Sequence, residues 1–269
     1  MSGVTPGSEG IGERLMELMT SFHLTTMASE FVPRLEEAGH ETSLPTLLEI
    51  FELEREARWE RRLARLRKAS KLPPAKSFDT FDDARLPMPL ARQLRELARG
   101  DFLERAVNVL AFGLPGTGKS HAACALGHAL VDGGHSVLFA PTFQLVQELL
   151  AAKRELELPR ALRKLDRFEL LILDDLGYVQ QSSEEMEVLF TLLAERYERR
   201  SMLITSNLVF SQWDRIFKNP MTTAAAIDRL VHHCAILEFD VPSYRTEKRS
   251  ATERASRGRK TPKRQRGTR

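Results

Sequence analysis

Eight residues, Gly113-Leu114-Pro115-Gly116-Thr117-Gly118-Lys119-Ser120, restrict the architecture of this chain more tightly than any others, because they read G-x-x-x-x-G-K-S. Such a run is a phosphate-binding loop when a strand leads into it and a helix leaves it. Both are legible. Residues 107–112 are an apolar run rich in strand formers, and residues 121–130 are rich in Ala and Leu. Between them, the loop's backbone N–H groups are placed to wrap a triphosphate at a helix N-terminus, where the macrodipole favours negative charge. Gly113, Gly116 and Gly118 allow torsions and close approach that a Cβ would block. Lys119 reaches the β and γ phosphates in this motif, and Ser120 ligates Mg²⁺.

The rest of the chain supplies a setting for that loop. After the loop's helix, Asp132-Gly133-Gly134 signals a stop, and residues 136–140 read as a strand. Thr142 is expected to cap a helix running to about Lys153, and a shorter helix is expected over residues 158–166. Residues 170–173 are continuously apolar, as in a strand buried on both faces of a parallel sheet. A helix over 183–200, a strand over 201–207, a helix over 224–232 and a fifth strand over 235–239 complete the pattern. Strands alternating with helices predict an α/β fold with a five-stranded parallel sheet. Upstream, apolar residues at helical spacing predict helices over 11–40 and 46–69. The predicted organisation is a helical N-terminal module over 1–70 for partner or DNA contact and a linker and lead-in over 71–106. The core carrying the phosphate loop follows over 107–242, and a tail over 243–269.

Acids and polar groups gather at the predicted strand ends. The strand at 170–173 runs into Asp174-Asp175, at the edge where open α/β sheets bind ligands. Asp174 suits the Mg²⁺ shell, through water, because Mg²⁺ keeps several waters. Asp175 suits general-base activation of the attacking water. Asn207, closing Thr205-Ser206-Asn207, can hold that water or the γ-phosphate without competing for the metal. Arg229, beside Asp228, can reach a neighbouring subunit's γ-phosphate or form a surface ion pair; the sequence leaves both open. Tyr244-Arg245 is readable as a second phosphate sensor or as the start of the tail. His232 and His233 are adjacent in a predicted helix, so their side chains should diverge, and no metal is assigned to them.

Composition narrows the class. In 269 residues, 42% hydrophobic and 29% charged, no apolar run approaches the roughly 18 residues that suggest a membrane span. Met1–Gly12 lacks a secretory pattern, and Cys124 and Cys234 read as buried thiols; a cytoplasmic protein is expected. The net charge of +3 is uneven. Residues 245–269 carry 11 Lys/Arg against 2 Glu, and the remaining residues carry 29 Lys/Arg against 35 Asp/Glu. The tail therefore reads as a disordered basic arm, suited to phosphates of nucleic acid or to solubility.

Several runs together resemble the IstB family, the ATP-dependent helpers encoded beside transposases in insertion sequences, and more distantly the DnaC helicase loaders. They include Glu54-Arg55-Glu56-Ala57-Arg58, Phe78-Asp79-Thr80-Phe81-Asp82, the phosphate loop followed by His121, and Leu171-Ile172-Leu173-Asp174-Asp175-Leu176-Gly177-Tyr178. Arg196-Tyr197-Glu198, Asp228-Arg229-Leu230-Val231-His232 and Ser243-Tyr244-Arg245 add to them. The resemblance implies an AAA+ ATPase whose sensor strand lies between the two motif-bearing strands. It implies nucleotide contacts from Gly113 through His121 and from Arg245, Asn207 as first sensor, and Arg229 as an arginine finger acting in trans. It implies ATP-promoted homo-oligomers on double-stranded DNA, largely indifferent to sequence, that recruit and stimulate a partner transposase. A replicative helicase loader is the near alternative. Two departures stand out: Asp175 where the family more often has Glu, and Phe239-Asp240-Val241-Pro242 where a Gly-containing turn is usual. Only thirty residues follow Phe239, too few for a full helical lid.

Overall fold

A computed structural model of the chain describes residues 8–178, 182–213 and 220–244. Arg245 and the basic tail, and with them the expectations of a second sensor and a disordered arm, lie outside the described residues. The chain divides into two units, Met1–Arg65 and Leu66–Arg269.

The first unit is helical. Helices α1 (Ser8–Ser21) and α2 (Thr25–Glu37) and the first part of α3 (Leu44–Ser70) enclose Leu15, Met19, Val32 and Leu44. Gly39, at φ 71°, takes the left-handed turn that follows α2. Phe22 and Phe51 stack with ring centroids 6.0 Å apart, and the Arg58 guanidinium lies 4.1 Å over Phe22. The basic stretch of α3 is partly neutralised within the helix, since Arg58 and Arg61 both pair with Glu54. That pairing favours a solvated face over a phosphate-binding one along those turns.

The second unit is a parallel sheet covered on both faces. Its strands are β1 (Asn108–Gly113), β2 (Val137–Pro141), β3 (Leu170–Asp174), β4 (Ser201–Ser206) and β5 (Cys234–Phe239). They lie in the order β2-β3-β4-β1-β5, all neighbours parallel. This puts β4 between β1 and β3, as the family resemblance implies. The two-residue period of a strand divides the apolar side chains between the faces. Val109, Ala111, Ile172 and Leu203 pack beneath α6 (Lys119–Asp132) and α4 (Met88–Leu97). Leu110, Phe112, Leu171, Leu173, Met202 and Ile204 face the opposite layer. That layer comprises α7 (Thr142–Arg154), α8 (Leu158–Leu165), α9 (Ser183–Arg196) and α10 (Pro220–Val231). Each such side chain larger than alanine, fully buried, contributes about 1.5–3 kcal/mol. The stretch before β1 also enters this core: Leu72, Phe81, Leu86, Leu90 and Leu94, then Phe102 and Leu103 of α5 (Asp101–Glu104), belong to the α6-side cluster.

Two buried polar groups fix the lower ends of the strands. Asn108 receives the Met202 amide at 3.0 Å and donates to the Leu230 carbonyl at 3.3 Å, and its own amide reaches the His233 carbonyl at 2.9 Å. Arg196 is 1% exposed and donates to the carbonyls of Leu165, Phe168 and Ser201 at 2.9–3.0 Å. Burial pushes its pKa down to about 10. A buried cation surrounded by carbonyls ties the exit of α8 to the start of β4, a role no local pattern around Arg196 announces.

Three helix boundaries differ from expectation. Thr142 does not cap α7; it lies inside the first turn after Pro141, and its hydroxyl donates to the Asp174 carbonyl at 2.8 Å. α9 stops at Arg196 rather than near Arg200, because Tyr197 leaves the helix and Glu198 turns left-handed at φ 55°. α10 starts earlier, at Pro220, and ends at Val231, so His232 and His233 are not on a helix. Among the described residues, no helix is long and apolar enough to cross a membrane.

Candidate functional site

The phosphate loop connects the end of β1 to α6, and its glycines carry the turn. Gly116 and Gly118 adopt φ 83° and 101°. A Cβ on Gly113 would stand 2.6 Å from the Phe239 carbonyl oxygen, so only glycine lets β1 leave the sheet past β5. Thr117 Oγ1 donates to the Leu114 carbonyl at 2.9 Å and closes the loop on itself. Lys119 is buried, and its ammonium donates to the carbonyls of Gly113 and Leu114 at 2.6 and 2.8 Å. The cation thus rests on the loop it would leave when phosphate oxygens arrive.

This loop floors a cleft of about 580 Å³. Pro115, Gly116, Gly118, Lys119, Ser120 and His121 line it from the loop and α6; Asp175 and Asn207 line it from the ends of β3 and β4. The far wall comes from the segment before β1, with Lys76, Thr80, Phe81, Asp82 and Arg85, and from Tyr244 after β5. Three cations, Lys76, Arg85 and Lys119, face two acids, Asp82 and Asp175, a balance suited to a polyanion.

Asp174 ends β3 just behind the cleft. Thr205 Oγ1 donates to its Oδ1 at 2.6 Å, while the same oxygen accepts the Asp175 amide at 2.9 Å. One hydroxyl on β4 therefore orients both acids of β3. Asp175 sits at φ 63°, a left-handed torsion that turns its side chain out of the strand line. Asn207 Oδ1 is buried without a hydrogen-bond partner among the described residues. The Ser120 hydroxyl and the Asp174 carboxylate are oxygen donors of the kind Mg²⁺ and its waters take, and the orphaned Asn207 acceptor remains for a water.

Gly177 explains part of the Leu176-Gly177-Tyr178 run. A Cβ there would stand 2.0 Å from Asn207 Oδ1. Gly177→Ala should therefore displace the Asn207 amide and, in a cleft that hydrolyses a nucleoside triphosphate, cut turnover by about a hundredfold, the cost of roughly 1 Å of misplacement, with nucleotide affinity nearly retained. Phosphate-release kinetics beside fluorescent-nucleotide titration measure both, and unchanged turnover would contradict this role.

His121 faces the pre-β1 segment: its Nε2 lies 3.2 Å from the Ser77 carbonyl and 3.0 Å from Thr80 Oγ1, and its ring packs against Phe81. Burial lowers its pKa against the pull of the Ser77 carbonyl, which favours the neutral ring. The neutral ring carries its proton on Nε2, since a carbonyl only accepts. Tyr244 joins three parts of the cleft. Its amide donates to the Gly116 carbonyl at 2.9 Å, its hydroxyl to the Asp82 carbonyl at 3.1 Å, and Arg85 lies 4.0 Å over its ring.

Arg229 is not brought to this cleft. It lines a separate cavity of about 200 Å³ with Arg105, Asn108, Tyr197, Glu198 and His233. Its guanidinium lies 4.6 Å over Phe190, and its Nη1 is buried without a hydrogen-bond partner among the described residues. Asn108 begins β1 and Gly113 ends it, a separation of about 17 Å at strand rise. Lys76, Phe81, Arg85, Thr205 and Tyr244 are the contributors that local motif logic gives no role or only an ambiguous one; the aromatic-acid run Phe78-Asp79-Thr80-Phe81-Asp82 and the Tyr244-Arg245 pair are the signals pointing at parts of that wall.

Comparison with known proteins places this geometry in a family. Residues 18–252 match the family described as IstB-like ATP binding protein. A relative named as an insertion sequence ATP-binding protein in Sinorhizobium fredii is 44% identical over 89% of this chain and 81% of its own length. The insertion sequence IS21 ATP-binding protein of Pseudomonas aeruginosa is 42% identical over 68% of this chain and 70% of its own. The fold is similar to the crystal structure of the DnaC helicase loader, with a TM-score of 0.54 at 19% identity, over 61% of this chain and 97% of that one. AMPPCP-bound DnaA from Aquifex aeolicus gives a TM-score of 0.54 at 16% identity, over 72% of this chain and 59% of that one.

Proposed function

The chain belongs to the family of IstB-like ATP binding proteins, and on that premise we propose that it hydrolyses ATP at the contact between copies of itself assembled on duplex DNA, and that the assembly recruits and stimulates a partner transposase. The observation that carries the subunit-interface reading is the separation of Arg229 from the cleft of its own chain. A cleft with a phosphate loop, two acids and a polar amide, but without that arginine, is half of a phosphoryl-transfer site.

Each residue then has a task. The loop N–H groups and Lys119 bind the β and γ phosphates. Ser120 and Asp174 would hold Mg²⁺, which would neutralise charge on the phosphates. Asp175 takes a proton from the attacking water, and Asn207 orients that water. Arg229 of an adjacent copy meets the γ-phosphate as negative charge develops on its oxygens. Thr205 keeps the two acids apart in role, holding Asp174 by a hydroxyl and Asp175 by its amide. Arg85 and Tyr244 roof the nucleotide.

DNA contact should be made through phosphates and so weaken steeply with salt. Turnover measured with and without duplex DNA, beside electron microscopy in ATP, ADP or no nucleotide, tests the reading. Duplex should raise turnover by about tenfold or more and produce ordered assemblies with ATP only. A monomer whose turnover ignores DNA would overturn it.

A further inference from the structure

We propose that Glu198, His232 and His233 form a Zn²⁺ site on the edge of the ATPase unit, remote from the nucleotide cleft. Each offers one donor atom, and the three donors lie within 4.8 Å of one another. His232 Nδ1 is 3.7 Å from Glu198 Oε1, and the two imidazoles meet edge to face at 4.4 Å. The sequence expectation that adjacent histidines diverge fails because both residues lie beyond the last turn of α10, where the 100° helical step no longer separates them.

The chain builds this arrangement from two runs that the cleft leaves unused. Arg196-Tyr197-Glu198 supplies one side. The buried Arg196 anchors the exit of α9, and the left-handed torsion of Glu198 turns its carboxylate back toward α10. The end of Asp228-Arg229-Leu230-Val231-His232 supplies the other. Its backbone is held by Asn108, through the Leu230 and His233 carbonyls. The donors are therefore exposed side chains on backbones fixed by buried polar groups. Exposure leaves the rotamer freedom to close 4.8 Å to the roughly 3.3 Å that bonds of about 2.0–2.1 Å require in a tetrahedron.

The donor set selects the metal. Two imidazoles and one carboxylate suit Zn²⁺ and later first-row ions, whereas Mg²⁺ and Ca²⁺ take oxygen. With three protein ligands the fourth position goes to water. Tyr197, whose hydroxyl lies 3.5 Å from His232 Nδ1, would give up that nitrogen when the metal binds it. Loading would clip the exit of α9 to the end of α10, three residues beyond Arg229.

Zn²⁺ titrated calorimetrically into the metal-free full-length protein, with excess Mg²⁺ and no nucleotide or DNA, tests this independently of the ATPase reading. Wild type should bind about one Zn²⁺ per chain with micromolar or tighter affinity, and His232→Ala and Glu198→Gln should each weaken binding at least about tenfold. Cys234→Ser and His40→Ala should leave it unchanged, and matched thermal melts of the metal-free variants will show that the exposed substitutions spare the fold. Absence of binding in wild type, or undiminished binding in a His232→Ala/His233→Ala double variant, would overturn the site.

Discussion

Replacing Lys119 with Ala is expected to abolish ATP turnover and ATP-dependent assembly together. The ammonium is buried at the root of the phosphate loop, 2.6 and 2.8 Å from two backbone carbonyls. Those contacts keep a charged group desolvated but paired until phosphate oxygens replace them. Without the cation, the N–H groups of the loop meet three or four negative charges alone, and turnover should fall by about a thousandfold or more. The loop carbonyls lose their donor as well, at a cost of about 1–3 kcal/mol, so a melting curve should accompany the kinetics. Phosphate release measures turnover, and light scattering with electron microscopy measures assembly on DNA. A folded variant that still forms rings or filaments on ATP addition would break the coupling between nucleotide and assembly.

The loop itself was legible because its glycines and Lys119 are contiguous and carry their own context. The five strands were legible because each is a short apolar run bounded by turn residues or acids, and β3 shows both. What the sequence hid was set by contacts distant along the chain. Thr142 looks like a helix cap, yet β3 claims its hydroxyl through the Asp174 carbonyl. Thr205 looks like an ordinary β-branched strand residue, yet it orients both acids. Arg196 looks like one more charge at the end of an amphipathic helix, yet it is 1% exposed. The cleft wall from Lys76 to Arg85 meets Tyr244 only because β5 returns beside β1. The histidines at 232 and 233 lie beyond the reach of helical spacing for a similar reason, since the helix ends at Val231.

Replacing Arg229 with Ala should lower turnover by about a thousandfold while leaving ATP affinity within a few fold, because the group acts on developing charge rather than on ground-state nucleotide. The variant should also fold, since the side chain lies at a cavity rim over Phe190 and its truncation orphans no carbonyl. Asp175→Asn should be inactive for a different reason: it binds nucleotide but lacks the base. Neither variant repairs itself. Mixed together, they produce contacts in which the Asp175 of one chain meets the Arg229 of another. Steady-state turnover of an equimolar mixture of Arg229→Ala and Asp175→Asn on duplex DNA therefore decides whether hydrolysis is shared between copies. Random mixing should restore about a quarter of the wild-type rate, since about one contact in four joins an intact cleft to an intact arginine. A mixture no more active than its two components would contradict a site shared between chains.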